Sequence, residues 1–280
     1  MWSIAVHGGA GRIESPFSGW DDGIVAALDA AERALRGGGT ALDAACAAVV
    51  CLEENPDYNA GRGSVLSSAG TVEMDASVMD HRQDFGGVTQ VRTTRNPVLL
   101  ARAVMEHTPH GLLVGDGLGL ELGHEQCAND WFITTKRARA LSRANGIELD
   151  HGTVGAVVRD AEGRCAAATS TGGMTNKRPG RVGDTPIAGA GTWADATCAV
   201  SATGHGELIL RSALARRVAR FHEDNVIALA AERALAELTA LGGSAGLIAV
   251  SSRGELTLPF TTLGMYRGWR RQDGRQGLGA

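Results

Sequence analysis

Two alternating runs, 153–159 and 164–170, flank the short sequence Asp160-Ala-Glu-Gly163 in the middle of the 280-residue chain. Successive side chains of a strand point to opposite faces, so paired alternating runs across a glycine-containing turn predict an antiparallel hairpin. A second hairpin is predicted from Gly246-Leu-Ile-Ala-Val-Ser251, the turn Ser-Arg-Gly, and Glu255-Leu-Thr-Leu-Pro-Phe260. Helical repeats lie before and between these hairpins. Strands and helices thus come in blocks rather than in strict βαβ alternation, and that order predicts an α+β fold of packed sheets flanked by helices.

Local signals supply the other elements. An apolar strand at 2–7 runs into the glycine loop His7-Gly-Gly-Ala-Gly11. Ile24, Leu28, Ala31 and Leu35 recur at helical spacing until Gly37 to Gly39 stop them. Thr40 and Asp43 resemble a capping box for a second helix, Ala41 to about Glu53. Asn55 to Gly63 is a turn-rich loop. Residues 72–79 read as a half-buried strand and 87–93 as another, and Pro97 suits the first turn of a helix to about His107. Helical periodicity returns at 207–222 and 226–240. The basic stretch Lys136 to Arg143, continued to Gly152, reads as a linker accessible to processing, and the polar tail from Arg270 as frayed.

Composition narrows the function classes. A formal net charge of −4 argues against a general phosphate-binding surface, and 4% aromatic content leaves few platforms for base stacking, so nucleic acid is not an expected partner. Cysteines 46, 51, 127, 165 and 198 are odd in number and lack CxxC or metal-type spacing, which predicts reduced thiols and no metal cluster. The first residues hold no basic segment followed by an apolar run, and no stretch approaches membrane-spanning length. The expectation is a cytoplasmic protein. His7-Gly-Gly-Ala-Gly11 lacks the Gly-Lys-Ser/Thr ending of a phosphate loop, and Gly115, Gly117 and Gly119 do not make a dinucleotide fingerprint.

The central hairpin opens on Gly152-Thr153. If that bond breaks, Thr153 gains a free α-amine beside its hydroxyl, pairing a nucleophile with its general base in one residue. An α-amine titrates at about 7.7–8.0, so it accepts the hydroxyl proton near neutral pH.

Around that pair the chain resembles the plant-type asparaginases and isoaspartyl peptidases, which are N-terminal-nucleophile hydrolases. The resemblance rests on His7-Gly-Gly-Ala-Gly11, Asn59-Ala-Gly-Arg-Gly-Ser-Val65, Glu73-Met-Asp-Ala-Ser-Val-Met-Asp80 and Gly152-Thr-Val-Gly-Ala-Val157. It continues through Thr169-Ser-Thr-Gly-Gly-Met-Thr-Asn-Lys177, Gly180-Arg-Val-Gly-Asp184, Gly189-Ala-Gly191 and Thr203-Gly-His-Gly-Glu207, covering essentially the whole chain. It implies a four-layer αββα sandwich, one domain self-cleaved into residues 1–152 and 153–280, and pairing of processed protomers as (αβ)2. It also implies hydrolysis of L-asparagine or of isoaspartyl dipeptides.

The site residues implied are these. Thr153 is the nucleophile and Gly152–Thr153 the cleaved bond. Thr171 hydrogen-bonds the nucleophile, although its spacing equally fits a satisfied sheet threonine. Arg181 grips the substrate α-carboxylate and Asp184 accepts from the α-ammonium, with a loop salt bridge as the plain alternative. Thr203 and Gly204 stabilise the oxyanion and contact substrate. Gly206 offers a carbonyl near the substrate amine, and Asn59 supports the site unless it is simply a turn residue. His205 reads as a loop histidine rather than the base. No cofactor is required; the loop 52–62 corresponds to one that binds sodium through backbone oxygens. Two departures stand out: the segment before Thr153 is short, and His81 follows Asp80 where glycine is common. Two rivals share the motifs: a glycosylasparaginase cleaving the sugar–asparagine amide, and an uncleaved amino-acid-binding protein.

Overall fold

A computed structural model describes residues 1–13, 17–144 and 151–280. In chain order its elements begin with β1 (Ser3–Gly11), α1 (Trp20–Arg36), α2 (Ala41–Glu54), β2 (Met74–Asp80), β3 (Phe85–Val91), α3 (Pro97–His107) and β4 (Leu112–Val114). There follow α4 (Gly117–Glu121), α5 (Thr135–Arg143), β5 (His151–Arg159), β6 (Cys165–Met174), β7 (Thr192–Ala194), β8 (Cys198–Gly204), α6 (Gly206–Ser212) and α7 (Leu214–His222). The last are α8 (Ile227–Ala240), β9 (Ala245–Ser251), β10 (Leu256–Thr257), β11 (Gly264–Arg271) and β12 (Gln276–Gly279).

The strands form an eight-stranded sheet, β12-β11-β1-β5-β6-β2-β3-β4, and a four-stranded sheet, β10-β9-β8-β7. Period-two alternation explains the layering. In β5, Val154, Ala156 and Val158 pack with α1 and α2, whereas Val157 faces the second sheet. In β9, Ala245, Leu247 and Ala249 pack with α7 and α8, whereas Ile248 and Val250 face back toward the first sheet. Small inter-sheet side chains such as Ala5, Ala167 and Ala199 let the sheets approach. The result is helix, sheet, sheet, helix: the expected α+β sandwich.

Thr40 and Asp43 make the expected capping box, with the Asp43 amide donating to Thr40 Oγ1 at 3.2 Å and the Thr40 amide to Asp43 Oδ2 at 2.7 Å. Several sequence expectations need correction. The basic run 136–143 is helical, not a linker: Lys, Arg, Ala and Leu are good helix formers, and Thr134 accepts from the Arg137 amide at 3.3 Å. The rest of that supposed linker, 145–150, lies outside the described residues. The single helix expected over 207–222 breaks at Ala213, whose φ is 48°. There tertiary bonds replace helix continuation, as the amides of Ala215 and Arg216 donate to the carbonyls of Ala190 and Gly189.

The strand expected over 72–79 is fully buried rather than half-buried, because both faces of β2 are covered: Met74, Ala76 and Val78 pack with the helical layer, and Ser77 and Met79 face the second sheet. The tail from Arg270 is not frayed: β12 pairs with β11, and Arg270 holds Asp29 and Glu32 of α1 at 2.6 and 2.7 Å. Of the expected strand at 255–260, Leu256–Thr257 pairs with β9 as β10, and Phe260 adds an isolated antiparallel bridge to Gly246.

Candidate active site

Thr153 stands directly opposite Thr171 in the β5–β6 ladder, and its hydroxyl donates to Thr171 Oγ1 at 3.2 Å. Thr171 Oγ1 also accepts from the Gly173 amide at 2.9 Å, which fixes its rotamer. The ladder shifts register between His151 and Thr153, so the Gly152–Thr153 bond sits at a β-bulge, a place where strands re-aim side chains. Both threonines are buried. The expected hydrogen bond between the two hydroxyls is therefore present.

The end of β1 closes over this bond. Gly9 has φ +111°, and a Cβ there would lie 2.7 Å from Gly152 Cα and 3.3 Å from the Thr153 nitrogen, so no other residue fits without displacement. The next amide, that of Ala10, donates to Thr203 Oγ1 at 3.1 Å. Accepting there leaves the Thr203 proton for donation elsewhere, the arrangement an oxyanion donor requires. Gly204 ends β8 with its Cα packed against Ser244 and Ala245. His205 caps α6 with its amide bonded to the Ser244 carbonyl.

Asn59 holds the opposite flank. Its side chain donates to the Gly173 carbonyl at 2.8 Å and accepts from the Val65 amide at 2.9 Å, while its carbonyl accepts from the Gly172 amide. A Cβ at Gly152 would stand 3.0 Å from Asn59 Cβ. Asn59 thus clasps the end of β6 and backs the Gly152–Thr153 bond.

Arg181, Asp184 and Gly206 meet beside this bond's strand pair: a Cβ at Gly206 would lie 2.7 Å from Arg181 Nη2 and 2.8 Å from Asp184 Oδ1. Arg181 does not spend itself on Asp184. It binds Glu207 Oε1 through Nε and Nη2, both at 3.0 Å. Asp184 is buried, and its Oδ2 has no hydrogen-bond partner. Burial raises its pKa to about 7, with Arg181 pulling the other way. A buried carboxylate oxygen without a partner is costly unless something cationic joins it.

The loop carrying Arg181 and Asp184 is tied down by residues whose roles the sequence did not disclose. Gly180 and Gly183 donate to Glu73 Oε2 and Asp75 Oδ2 at 2.9 and 3.2 Å, and Gln90 Nε2 donates to the Arg181 carbonyl at 3.2 Å. Lys177, fully buried, donates to the carbonyls of Glu73 and Gly172 at 2.5 and 2.9 Å, and burial lowers its pKa. Glu73, Asp75 and Lys177 carried only the signal of membership in the motif segments 73–80 and 169–177, and Gln90 none beyond its place in the strand expected at 87–93.

His7 was likewise missed. Its Nε2 lies 2.9 Å from Ser201 Oγ, the first link of a hydroxyl chain through Thr169 and Thr192 to Ser77 that joins the sheets beneath the site. Burial lowers its pKa to about 3, with the Thr153 backbone pulling weakly the other way, and its Nδ1 makes no well-formed hydrogen bond. Burial thus favours the neutral imidazole, which ties β1 to the hydroxyl chain through Ser201.

Thr171 and Asn59 thus stand against the Gly152–Thr153 bond, while Arg181, Asp184 and Gly206 form a neighbouring group in which Arg181 Nη1 lies 3.4 Å from where a Cβ at Gly173 would stand. Among the described residues no group of three or more His, Cys, Asp or Glu could hold a metal ion, and no helix is long and apolar enough to cross a membrane. All five cysteines are free.

The family model described as Asparaginase matches residues 1–148 and 135–279. The chain belongs to this asparaginase family. Within it, the chain is 45% identical to a Salmonella typhimurium protein named isoaspartyl peptidase, over 95% of this chain and 94% of that protein. The Escherichia coli isoaspartyl peptidase is 43% identical over 95% and 92%. A Macaca fascicularis asparaginase-family protein named isoaspartyl peptidase/L-asparaginase is 42% identical over 94% and 91%.

Proposed function

We propose that this chain is a self-processing amidohydrolase that cleaves L-asparagine to aspartate and ammonia and releases amino acids from isoaspartyl dipeptides. The observation carrying the proposal is the pairing of Thr153 Oγ1 with Thr171 beside a buried Asp184 oxygen that lacks a partner.

In processing, Thr153 Oγ attacks the Gly152 carbonyl carbon and the C–N bond breaks, leaving an ester. That break frees the Thr153 α-amine, and water then hydrolyses the ester, releasing the Gly152 carboxylate and restoring the Thr153 hydroxyl. In turnover that amine takes the hydroxyl proton as Oγ attacks the substrate side-chain carbonyl. Thr203 Oγ1 and the Gly204 amide stabilise the oxyanion. The amine returns the proton to the departing nitrogen, and water, deprotonated by the same amine, resolves the aspartyl ester. Asp184 receives the substrate ammonium along with the Gly206 carbonyl, and Arg181 its α-carboxylate.

No redox or metal chemistry enters these steps. A sodium ion in the loop 52–62 is part of the reading as a structural group only. The proposal further holds that the two chains stay one domain, pair as an (αβ)2 dimer, and work in the cytoplasm.

Intact mass spectrometry with assays on asparagine, β-Asp-Leu and a glycosylated asparagine tests the reading. Two chains split at 152/153 with activity on the first two are expected. Thr153→Ala should give one 29.0 kDa chain without activity. Cleavage in that variant, or full activity of an uncut wild-type chain, would refute the assignment, and activity confined to the glycosylated substrate would favour a glycosylasparaginase.

A further inference from the structure

We infer that Lys177 is a positioning residue for the nucleophile: it holds the peptide between Gly172 and Gly173 in the orientation that places the Thr171 hydroxyl against Thr153. The inference rests on the proposed amidohydrolase reading, in which Thr153 attacks with Thr171 beside it. Lys177 Nζ donates to the Gly172 carbonyl at 2.9 Å, and the N–H of the same peptide unit, that of Gly173, donates to Thr171 Oγ1 at 2.9 Å. Thr171 Oγ1 in turn accepts from Thr153 Oγ1 at 3.2 Å. Lys177 thus reaches the reacting oxygen through one peptide plane and one hydroxyl, without touching it.

The surroundings explain why that plane needs a hold. Gly172 and Gly173 lie beyond the β2–β6 pair of Asp75 with Thr171, and within the register shift of β5 against β6, so neither has a paired residue in those strands. A peptide between two glycines turns at low steric cost, and Gly173 stands at φ +83°. Turned over, it would present a carbonyl to Thr171 instead of a donor. Asn59 fixes the peptides on either side, accepting from the Gly172 amide and donating to the Gly173 carbonyl, and Lys177 takes the carbonyl of the plane between them. Lys177 is itself anchored. Its amide donates to the Met174 carbonyl at 3.2 Å and its carbonyl accepts from the Ser68 amide at 2.8 Å. Its side chain folds back over Gly173, where a Cβ would stand 2.9 Å from Nζ, and a second bond from Nζ reaches the Glu73 carbonyl at 2.5 Å. An ammonium carries three hydrogens and a neutral amine two, so both carbonyls are served in either state. Burying a lysine is costly unless its hydrogens are used, and here they are used on the main chain beside the nucleophile.

The test is a double-mutant cycle on kcat for L-asparagine with processed enzyme. Lys177→Met keeps the reach of the side chain and removes its donors. In an otherwise wild-type chain it should lower kcat about three- to fivefold with KM within about twofold, the worth of one hydrogen bond. With Thr171→Val, where no hydroxyl remains to be placed, the same change should cost less than about 1.5-fold. Lys177→Arg, which keeps donors, should retain more of kcat than Lys177→Met. Equal fold losses in both backgrounds overturn the inference, since they give Lys177 an effect that bypasses Thr171. So does an unchanged kcat in Lys177→Met, or failure of both Lys177 variants to fold, which assigns the side chain to the fold alone. Uncut Lys177→Met beside cleaved Thr171→Val overturns it as well, because the loss exceeds all that Thr171 supplies. A wild-type chain that stays uncut and inactive on asparagine removes the parent reading instead, and the inference with it.

Discussion

Asp184 offers the sharpest test of the substrate clamp, because its buried, unpartnered oxygen couples ligand binding to pH. In the empty site burial holds the carboxyl at about 7; an ammonium beside it favours the anion and pulls that value down. Binding therefore needs the deprotonated form, and acid competes with ligand. With the empty-site pKa at about 7, roughly three-quarters of the group is ionised at pH 7.5 and roughly 3% at pH 5.5, so the Kd for L-aspartate should rise about 25-fold across that interval. Calorimetric titration at both pH values, in two buffers of different ionisation enthalpy, reads the affinity and the release of close to one proton per ligand at the lower pH. The product is the right ligand, because its binding avoids the Thr153 amine's part in turnover. Asp184→Asn should bind weakly and without this slope. The same group costs stability when charged. Its folded pKa lies above the ordinary carboxylate value of 3.8, so its contribution is intact below that value and is lost as pH rises through about 7. Asp184→Asn should accordingly raise Tm relative to wild type at pH 8 and not at pH 4. A wild-type Kd that is flat between pH 5.5 and 7.5, or an Asn variant that keeps the slope, would refute this reasoning.

Three further outcomes are expected. Arg181→Lys should raise KM for asparagine at least tenfold with processing preserved, since a lysine cannot reproduce the planar fork that Glu207 already aligns; unchanged KM removes the clamp role. Thr171→Val should lower kcat about three- to tenfold with KM little changed, the worth of one hydrogen bond to the nucleophile, read by steady-state kinetics. Gly9→Ala should leave uncut chain on a denaturing gel for longer than wild type, because the added carbon meets Gly152 at 2.7 Å and φ is +111°; processing at the wild-type rate would show that this contact is irrelevant.

Elements whose signals are local were legible in the sequence. The Thr40 capping box, the central hairpin and Pro97 at the start of α3 depend on nearest neighbours, and each appears where its residues predict. The break at Ala213 was not legible, since it depends on bonds to Ala190 and Gly189, distant in sequence. Nor was β12, a polar edge strand that exists only because β11 offers a partner. The same division runs through the site. Thr153, Thr171, Arg181 and Asp184 fell within recognisable segments, whereas the pairing of Arg181 with Glu207 is a fact of three-dimensional packing. So is the use of Gln90, at φ 58°, to hold the clamp loop.

Strand order also bears on how a cut chain would hold together. In the large sheet, β12 and β11 come from after residue 152, β1 from before it, β5 from residue 153 onward apart from its first two residues, β6 from after, and β2, β3 and β4 from before. The two proposed fragments are interleaved, so severing one peptide bond removes no strand pairing, and separation would require breaking the β11–β1, β1–β5 and β6–β2 ladders together. The pairing of β1 with β5 ends at His7 opposite Gly155, whereas that of β6 with β5 reaches Thr153. Thr153 is thus held by Thr171 on one side and has no strand partner on the other, where β1 bulges between His7 and Gly9. A new terminal amine there would face Gly9 while its hydroxyl is held by Thr171, the arrangement in which one residue can serve as nucleophile and base.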